Sequence, residues 1–306
     1  MSGQVEASAL RAAAGRPRPA VRFSRRQLEP YALLAPATIF MTLFFAWPAL
    51  QTLLIAFQSA QGSFTLDNFG AMARDTDFRL AVRNTLLLLV LIIPIETTIA
   101  LAMAVLAQSR LFGRDVMLYI WSIPLAVSDL AAGLVWFSIF TSHGYLNSVL
   151  QDLHLIAHPV GFLDYNNLGG LVTAIVLAEV WRSMSLVMVI IMSGIQAIPP
   201  ELDEAAESLG AGAWQRFWKV TLPLLKPTLQ VALILRTTTA FQVFGVVLAL
   251  AGSALPVLAV KSESWVTEYR NYQLAATYAI LILVLSSLST VGYLLFLRTP
   301  REVFQR

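Results

Sequence analysis

Cysteine is missing from the 306-residue chain, which rules out disulfides, thiolate nucleophiles and cysteine-ligated metals. Histidine is scarce: His143, His154 and His158 are the only three, and no pair has the HExxH spacing of a helical metal site. A metal site is therefore not expected. No GxxxxGK[ST] loop and no GxGxxG turn occur, so nothing in the chain reads as a cradle for ATP phosphates. No Ser-His-Asp or Cys-His set marks a nucleophile. Charge is thin as well: 13% of residues are charged, against about 25% in soluble domains. With 57% hydrophobic residues and a mean hydropathy of +0.69, the chain reads as a membrane protein without catalytic groups of its own. Nucleic acid is not an expected partner.

What the chain does have is long apolar runs. From Pro30 to Leu66 there is no charged residue, far more than the roughly 7–15-residue apolar core of a cleaved signal. Residues 1–29, with Arg11, Arg16, Arg18, Arg22, Arg25 and Arg26, thus read as a basic tail ahead of an uncleaved span over 31–56. Five further runs, 82–107, 116–140, 168–194, 224–250 and 273–297, each come near the roughly 20 residues that cross a bilayer. Placing the N-terminus inside puts fourteen of the 21 Lys and Arg in cytoplasmic segments and five outside, with Arg182 and Arg236 within spans. The expected layout is a cytoplasmic tail (1–29), a six-helix membrane domain (30–297) and a short cytoplasmic tail (298–306), with no convincing internal repeat.

One sizeable polar stretch interrupts the apolar runs, from Pro199 to Pro223. Pro199 and Pro200 suit a helix start, where a missing N–H costs nothing. Glu201, Asp203 and Glu204 crowd the first turn, where the helix dipole favours negative charge. Ala205 and Ala206 are helix formers that let another surface come close, and Gly210 can take the left-handed conformation that ends a helix. From these features alone, a capped surface helix and a docking helix are equally good readings.

A resemblance bears on that choice. Glu204-Ala205-Ala206, then Gly210 after three residues, Val220 after nine more and Leu222-Pro223 resemble the EAA signature of permease subunits in binding-protein-dependent ABC importers. Leu66-Asp67-Asn68-Phe69 with Phe78, Asn84 and Thr85 is similar to the lead into the second span of carbohydrate-uptake permeases. Trp136, Phe140, Gly144, Tyr145 and Asn147 resemble their third span, and Trp181, Gly194, Ile195, Gln196, Ile198 and Pro199 the run into the coupling helix. The maltose/trehalose-type first permease subunit fits best. Two positions depart from the pattern: Leu209 stands where an Asp usually precedes Gly210, and Gly245 follows Phe244 where an Asp is usual.

The resemblance implies an all-α integral membrane protein with the type I ABC importer permease fold, six spans and both termini cytoplasmic. It implies a second homologous permease subunit, two cytoplasmic ATPase subunits that carry the ATP and Mg, and an extracytoplasmic substrate-binding protein, in a bacterial or archaeal inner membrane. Bound cofactors of its own are not implied, and membrane lipid surrounds it. Glu201, Glu204, Ala205, Ala206, Gly210, Leu222 and Pro223, within the loop 195–223, would couple to the ATPase. The solute would be a sugar or oligosaccharide.

Ionisable residues at membrane depth are costly unless they face a partner or a wet cavity. Glu179 and Arg182 stand three apart on one face of the fourth span, with Ser183 beside them. Arg236, Thr238, Thr239 and Gln242 lie along the fifth. These residues form either the polar wall of a solute pathway, with rings such as Phe241 stacking on a sugar, or ion pairs and hydroxyl back-bonds that fix helix packing. Glu96, after Pro94, reads as structural and Asp129 stays ambiguous. The rival reading is an ion-gradient-driven secondary transporter with Glu96, Asp129 or Glu179 as proton carriers.

Overall fold

The computed structural model describes residues 25–108 and 112–297, with side chains from Pro30 onward, so residues 1–24 of the expected N-terminal tail, the C-terminal tail and Arg110 lie outside it, while residues 25–29, expected as tail, are helical. The chain divides into two compact units, residues 1–52 and 53–306. In the first, helix α1 (Arg25–Met41) runs through a π turn (Thr42–Ala46) into α2 (Trp47–Ala56), whose last four residues belong to the second. The large apolar side chains of the first unit, Leu33, Phe44 and Trp47 among them, all point outward, as a helix bathed in lipid or covered by another chain requires.

Among the described residues of the second unit, the regular secondary structure is all helical, apart from an isolated bridge between Gln58 and Phe64. In chain order it comprises α3 (Asp67–Arg74), α4 (Phe78–Gln108), α5 (Arg114–Ser122), α6 (Asp129–Phe140) and α7 (Tyr145–Asp152). Then come α8 (Leu168–Gln196), α9 (Pro200–Ser208), α10 (Ala213–Arg216), α11 (Leu222–Ala240), α12 (Gly245–Ala251), α13 (Leu258–Thr267) and α14 (Tyr272–Phe296). Four helical runs are long and apolar enough to cross a membrane unbroken: 30–56, 78–108, 168–196 and 272–296.

The third and fifth expected spans are not the single helices that their composition suggests. The third breaks after a 3-10 turn at Ile123–Ala126, where Val127 becomes extended and Ser128 caps α6, bending the pair by 108°. The fifth runs as one helix from Ala213 to Ala240, then turns by 47° before α12. Largely apolar composition on either side of each break lets the run read as one span. Counting each bent pair as one crossing gives six.

Local chemistry explains the caps. Asn167 Oδ1 accepts from Gly170 N at the start of α8, and Asn271 Oδ1 from Leu274 N at the start of α14. Pro94 lies inside α4, where Thr98 Oγ1 donates to its carbonyl at 2.7 Å. Helix α8 forms the axis of the unit. Leu171, Ile175 and Val180 pack with Leu88 and Val246 towards one end, and Met188 and Ile191 pack with Ala104 and Leu225 towards the other.

The loops expected outside, 57–77 and 252–271, meet at one end. Asn84 Nδ2 donates to Pro256 O, and Lys261 Nζ lies 3.2 Å from Asp75 and 3.1 Å from Asp77. Burial pushes the Asp75 carboxyl up, but hydrogen bonds from Tyr278, Asp77 N and Lys261 outweigh it and hold it below its ordinary value. The loop carrying α9 shares the opposite end with the C-terminal residues of α4.

Candidate functional site

Two polar regions carry the residues singled out from sequence. The first is α9. Its expected limits hold: Pro200 begins it, and Gly210 (φ +83°) ends it. Ala211 N bonds Ala206 O and Gly210 N bonds Glu207 O, the paired closure that a left-handed glycine permits. Arg216, on α10, reaches back to pin the helix, with Nε 3.1 Å from Asp203 Oδ1 and a terminal nitrogen 2.8 Å from Glu207 Oε2. Glu201 and Glu204 are exposed and have no ion-pair partner among the described residues. Glu204 lines a groove of about 560 Å³ with Gln196, Pro199, Asp203, Arg216 and Thr221. Ala205 is exposed, Ala206 half-buried, and Leu222 and Pro223 open α11. Leu202, Ala205 and Leu209, at helical spacing, form an exposed apolar stripe beside Glu204, and Leu209 is 89% exposed.

The second region lies at membrane depth and draws on four helices. Arg236 of α11 has no free donor group. Its Nε bonds Glu96 Oε2 of α4 at 2.6 Å, one terminal nitrogen bonds Glu179 Oε2 of α8 at 3.0 Å, and the other bonds Thr239 Oγ1 at 3.2 Å. Glu179 also bonds Arg182 at 3.0 Å, and Arg182 Nε lies 3.4 Å from Asp129 Oδ1 of α6. Three carboxylates and two guanidinium groups thus form one continuous chain of charge. Such a chain tolerates burial because every charge has an opposite neighbour, although Glu96 Oε1 and Asp129 Oδ1 are buried without a hydrogen-bond partner. Its Glu96–Arg236–Glu179 part is at most 3% exposed, while the Arg182 and Asp129 side chains are 23% and 32% exposed.

The structure therefore joins Glu179, Arg182, Arg236 and Thr239 and holds Arg236 against helix neighbours. Ser183 donates to Glu179 O, and Thr238 to Ile234 O, the back-bonds that hydroxyls make to their own helix. Gln242 is exposed and stands apart from the chain of charge. Phe241 is buried in a core with Tyr278 and Leu274, so its ring cannot stack on a solute as expected. Glu96 and Asp129 belong to the network, although sequence reasoning left them out of the site. The available signal was arithmetic: Glu96, Asp129 and Glu179 at depth had two arginines to share.

Gly245, which departs from the carbohydrate-permease pattern, has a physical reason. A Cβ there would lie 2.6 Å from Leu130 N, and its own N–H donates to Asp129 Oδ2 at 2.6 Å. Only glycine lets α12 come this close to α6.

Residues 96–301 match the family model described as a binding-protein-dependent transport system inner membrane component. The chain is 31% identical over 282 residues to the sulfoquinovosyl glycerol transport system permease protein SmoG of Agrobacterium fabrum, covering 87% of this chain and 89% of that one. It is 36% identical to the trehalose/maltose transport system permease protein MalF of Thermococcus litoralis, over 69% and 71% of the two chains. Its fold matches a chain of a bacterial ABC transporter that imports the acidic polysaccharide alginate, with a TM-score of 0.77 over 90% of this chain and 96% of that one, at 22% identity.

Proposed function

Because the chain belongs to the family of inner-membrane components of binding-protein-dependent transport systems, we propose that it forms half of the pathway of an ATP-driven importer for a sugar or oligosaccharide. It pairs with a second permease of the same type. Two ATPase subunits bind ATP and Mg beneath it, and a substrate-binding protein delivers solute to its outer face. The observation that carries this reading is α9: a helix opened by Pro199-Pro200 and closed at Gly210, pinned from behind by Arg216, that presents unpaired Glu204 and an apolar stripe outward. Buried surfaces satisfy their charges internally, so a carboxylate left open beside exposed Leu202 and Leu209 suits a docking face with a cation and an apolar groove opposite.

In the cycle, ATP closes the ATPase dimer, draws the two permeases' α9 helices together and tips the spans outward. The cytoplasmic placement of α9 follows from the Lys and Arg bias of the loops. The secondary-transporter reading fits less well, since Glu96, Glu179 and Asp129 are each tied to an arginine rather than held free to carry protons. The test is to capture tagged protein from detergent-solubilised membranes and identify what accompanies it by mass spectrometry. An ATPase and a second permease are expected. A homo-oligomer without ATPase, even after mild cross-linking, would overturn the reading.

A further inference from the structure

Asp129 is the one member of the charge network that stands at both helix breaks. Helices α6 and α12 begin there and run side by side in the same direction, with Leu130 beside Gly245 and Gly133 beside Ala249. A Cβ on Gly133 would lie 2.6 Å from the Ala249 Cβ, so the two backbones nearly touch. Parallel neighbours bring like dipole ends together, and two positive N-terminal ends repel unless an anion lies between them. Asp129 supplies that anion. Its Oδ2 accepts from Gly245 N at 2.6 Å, while Oδ1 faces Arg182 Nε of α8 at 3.4 Å.

The two links differ in how easily they can part. The Gly245 bond is short, charge-assisted and flanked by backbone contact. The Arg182 contact is longer and lies in the more exposed part of the network. Opening it leaves Arg182 with Glu179 at 3.0 Å and Asp129 Oδ2 with Gly245 N, and takes from buried Asp129 Oδ1, which has no hydrogen-bond partner, only a long ionic contact.

We propose that Asp129 is a positioning residue that makes α6 and α12 one moving body, with Arg182 as its releasable tether to α8. The transport role of that motion rests on the permease reading. The clasp between α6 and α12 does not. When the spans tip, the Asp129–Gly245 bond stays closed and the Asp129–Arg182 contact opens.

The chain has no cysteine, so spin labels can be introduced pairwise on exposed positions of the purified chain, without background from its own residues, before assembly with its partner subunits. One pair, Ser138 and Leu248, reports α6 against α12, and another, Ser138 and Thr173, reports α6 against α8. Distances are measured by pulsed electron resonance in the purified importer with its partner subunits, nucleotide-free and trapped with ATP and vanadate. The first distance should be the same in both states and the second should shift. Asp129→Asn keeps an acceptor for Gly245 N but loses the ion pair. It should leave the first distance alone, show the shifted second distance without nucleotide, and raise binding-protein-independent ATP hydrolysis several-fold. Asp129→Ala should broaden the first distance. A first distance that changes between states, or an Asp129→Asn importer with wild-type distances and basal hydrolysis, would overturn the proposal. If no ATPase accompanies the chain, the permease reading fails instead. The clasp is then decided by the nucleotide-free Ser138–Leu248 distribution, which equal widths in wild type and Asp129→Ala would overturn.

Discussion

The charges at membrane depth and the charges on α9 are the same residue types put to opposite uses. At depth, Arg236 gives its donors to three partners on three helices, and no carboxylate is left without a guanidinium. On α9, one arginine serves Asp203 and Glu207 from within the same loop, and Glu201 and Glu204 face outward unpaired. Water sets the difference. A lone buried charge is too costly to keep, so the network must be closed within the chain, whereas a solvated helix can leave charges open for a partner at little cost. A closed set of charges therefore marks structure here, and an open one is what the proposed docking face requires.

That contrast can be broken from either side. Arg236→Ala should have the largest effect on stability, since it strands buried Glu96 and leaves Glu179 with Arg182 alone, at a cost of about 3–5 kcal/mol. Its thermal unfolding midpoint in detergent should fall well below wild type, and an unchanged midpoint would mean that the network does not hold the helices. Gly210→Ala should come next, at about 1 kcal/mol, because it forces a Cβ into the left-handed region where nothing else crowds it. The same melting measurement checks it. Arg216→Ala removes two partly exposed ion pairs and should cost less than about 1 kcal/mol, with the difference fading in high salt. Glu204→Lys should leave the midpoint within about 0.5 kcal/mol of wild type, yet abolish uptake and the recovery of ATPase. Uptake at wild-type rate in that variant would remove Glu204 from the docking face.

Much of α9 was legible because its signals are local: two prolines, Glu201 and Asp203 in the first turn with Glu204 just after it, and Gly210 all act within a few residues of one another. The unbroken spans were legible for the same reason, as apolar runs need no knowledge of neighbours. The break before α6 had a faint local mark, since Ser128-Asp129 after Pro124 is a helix start set inside an apolar run. The break before α12 had less to show. Gly245 reads there as a missing carboxylate until the approach of Leu130 explains it. The Glu96–Arg236 bond joins residues 140 positions apart, and no periodicity reports a contact of that kind. What sequence could supply was the charge balance, which requires partners without naming them.

The continuous run from Ala213 to Ala240 has a mechanical meaning. Arg216 at its foot grips α9, and Arg236, twenty residues further on, grips the network, so the two clamps stand about 30 Å apart on one rod at 1.5 Å per residue. A rod held at both ends works as a lever arm. Torque applied to α9 would pass along this run towards the middle of the bilayer through the π turn at Phe217–Thr221 and past Pro227, and the chain next turns before Gly245, beyond the upper clamp.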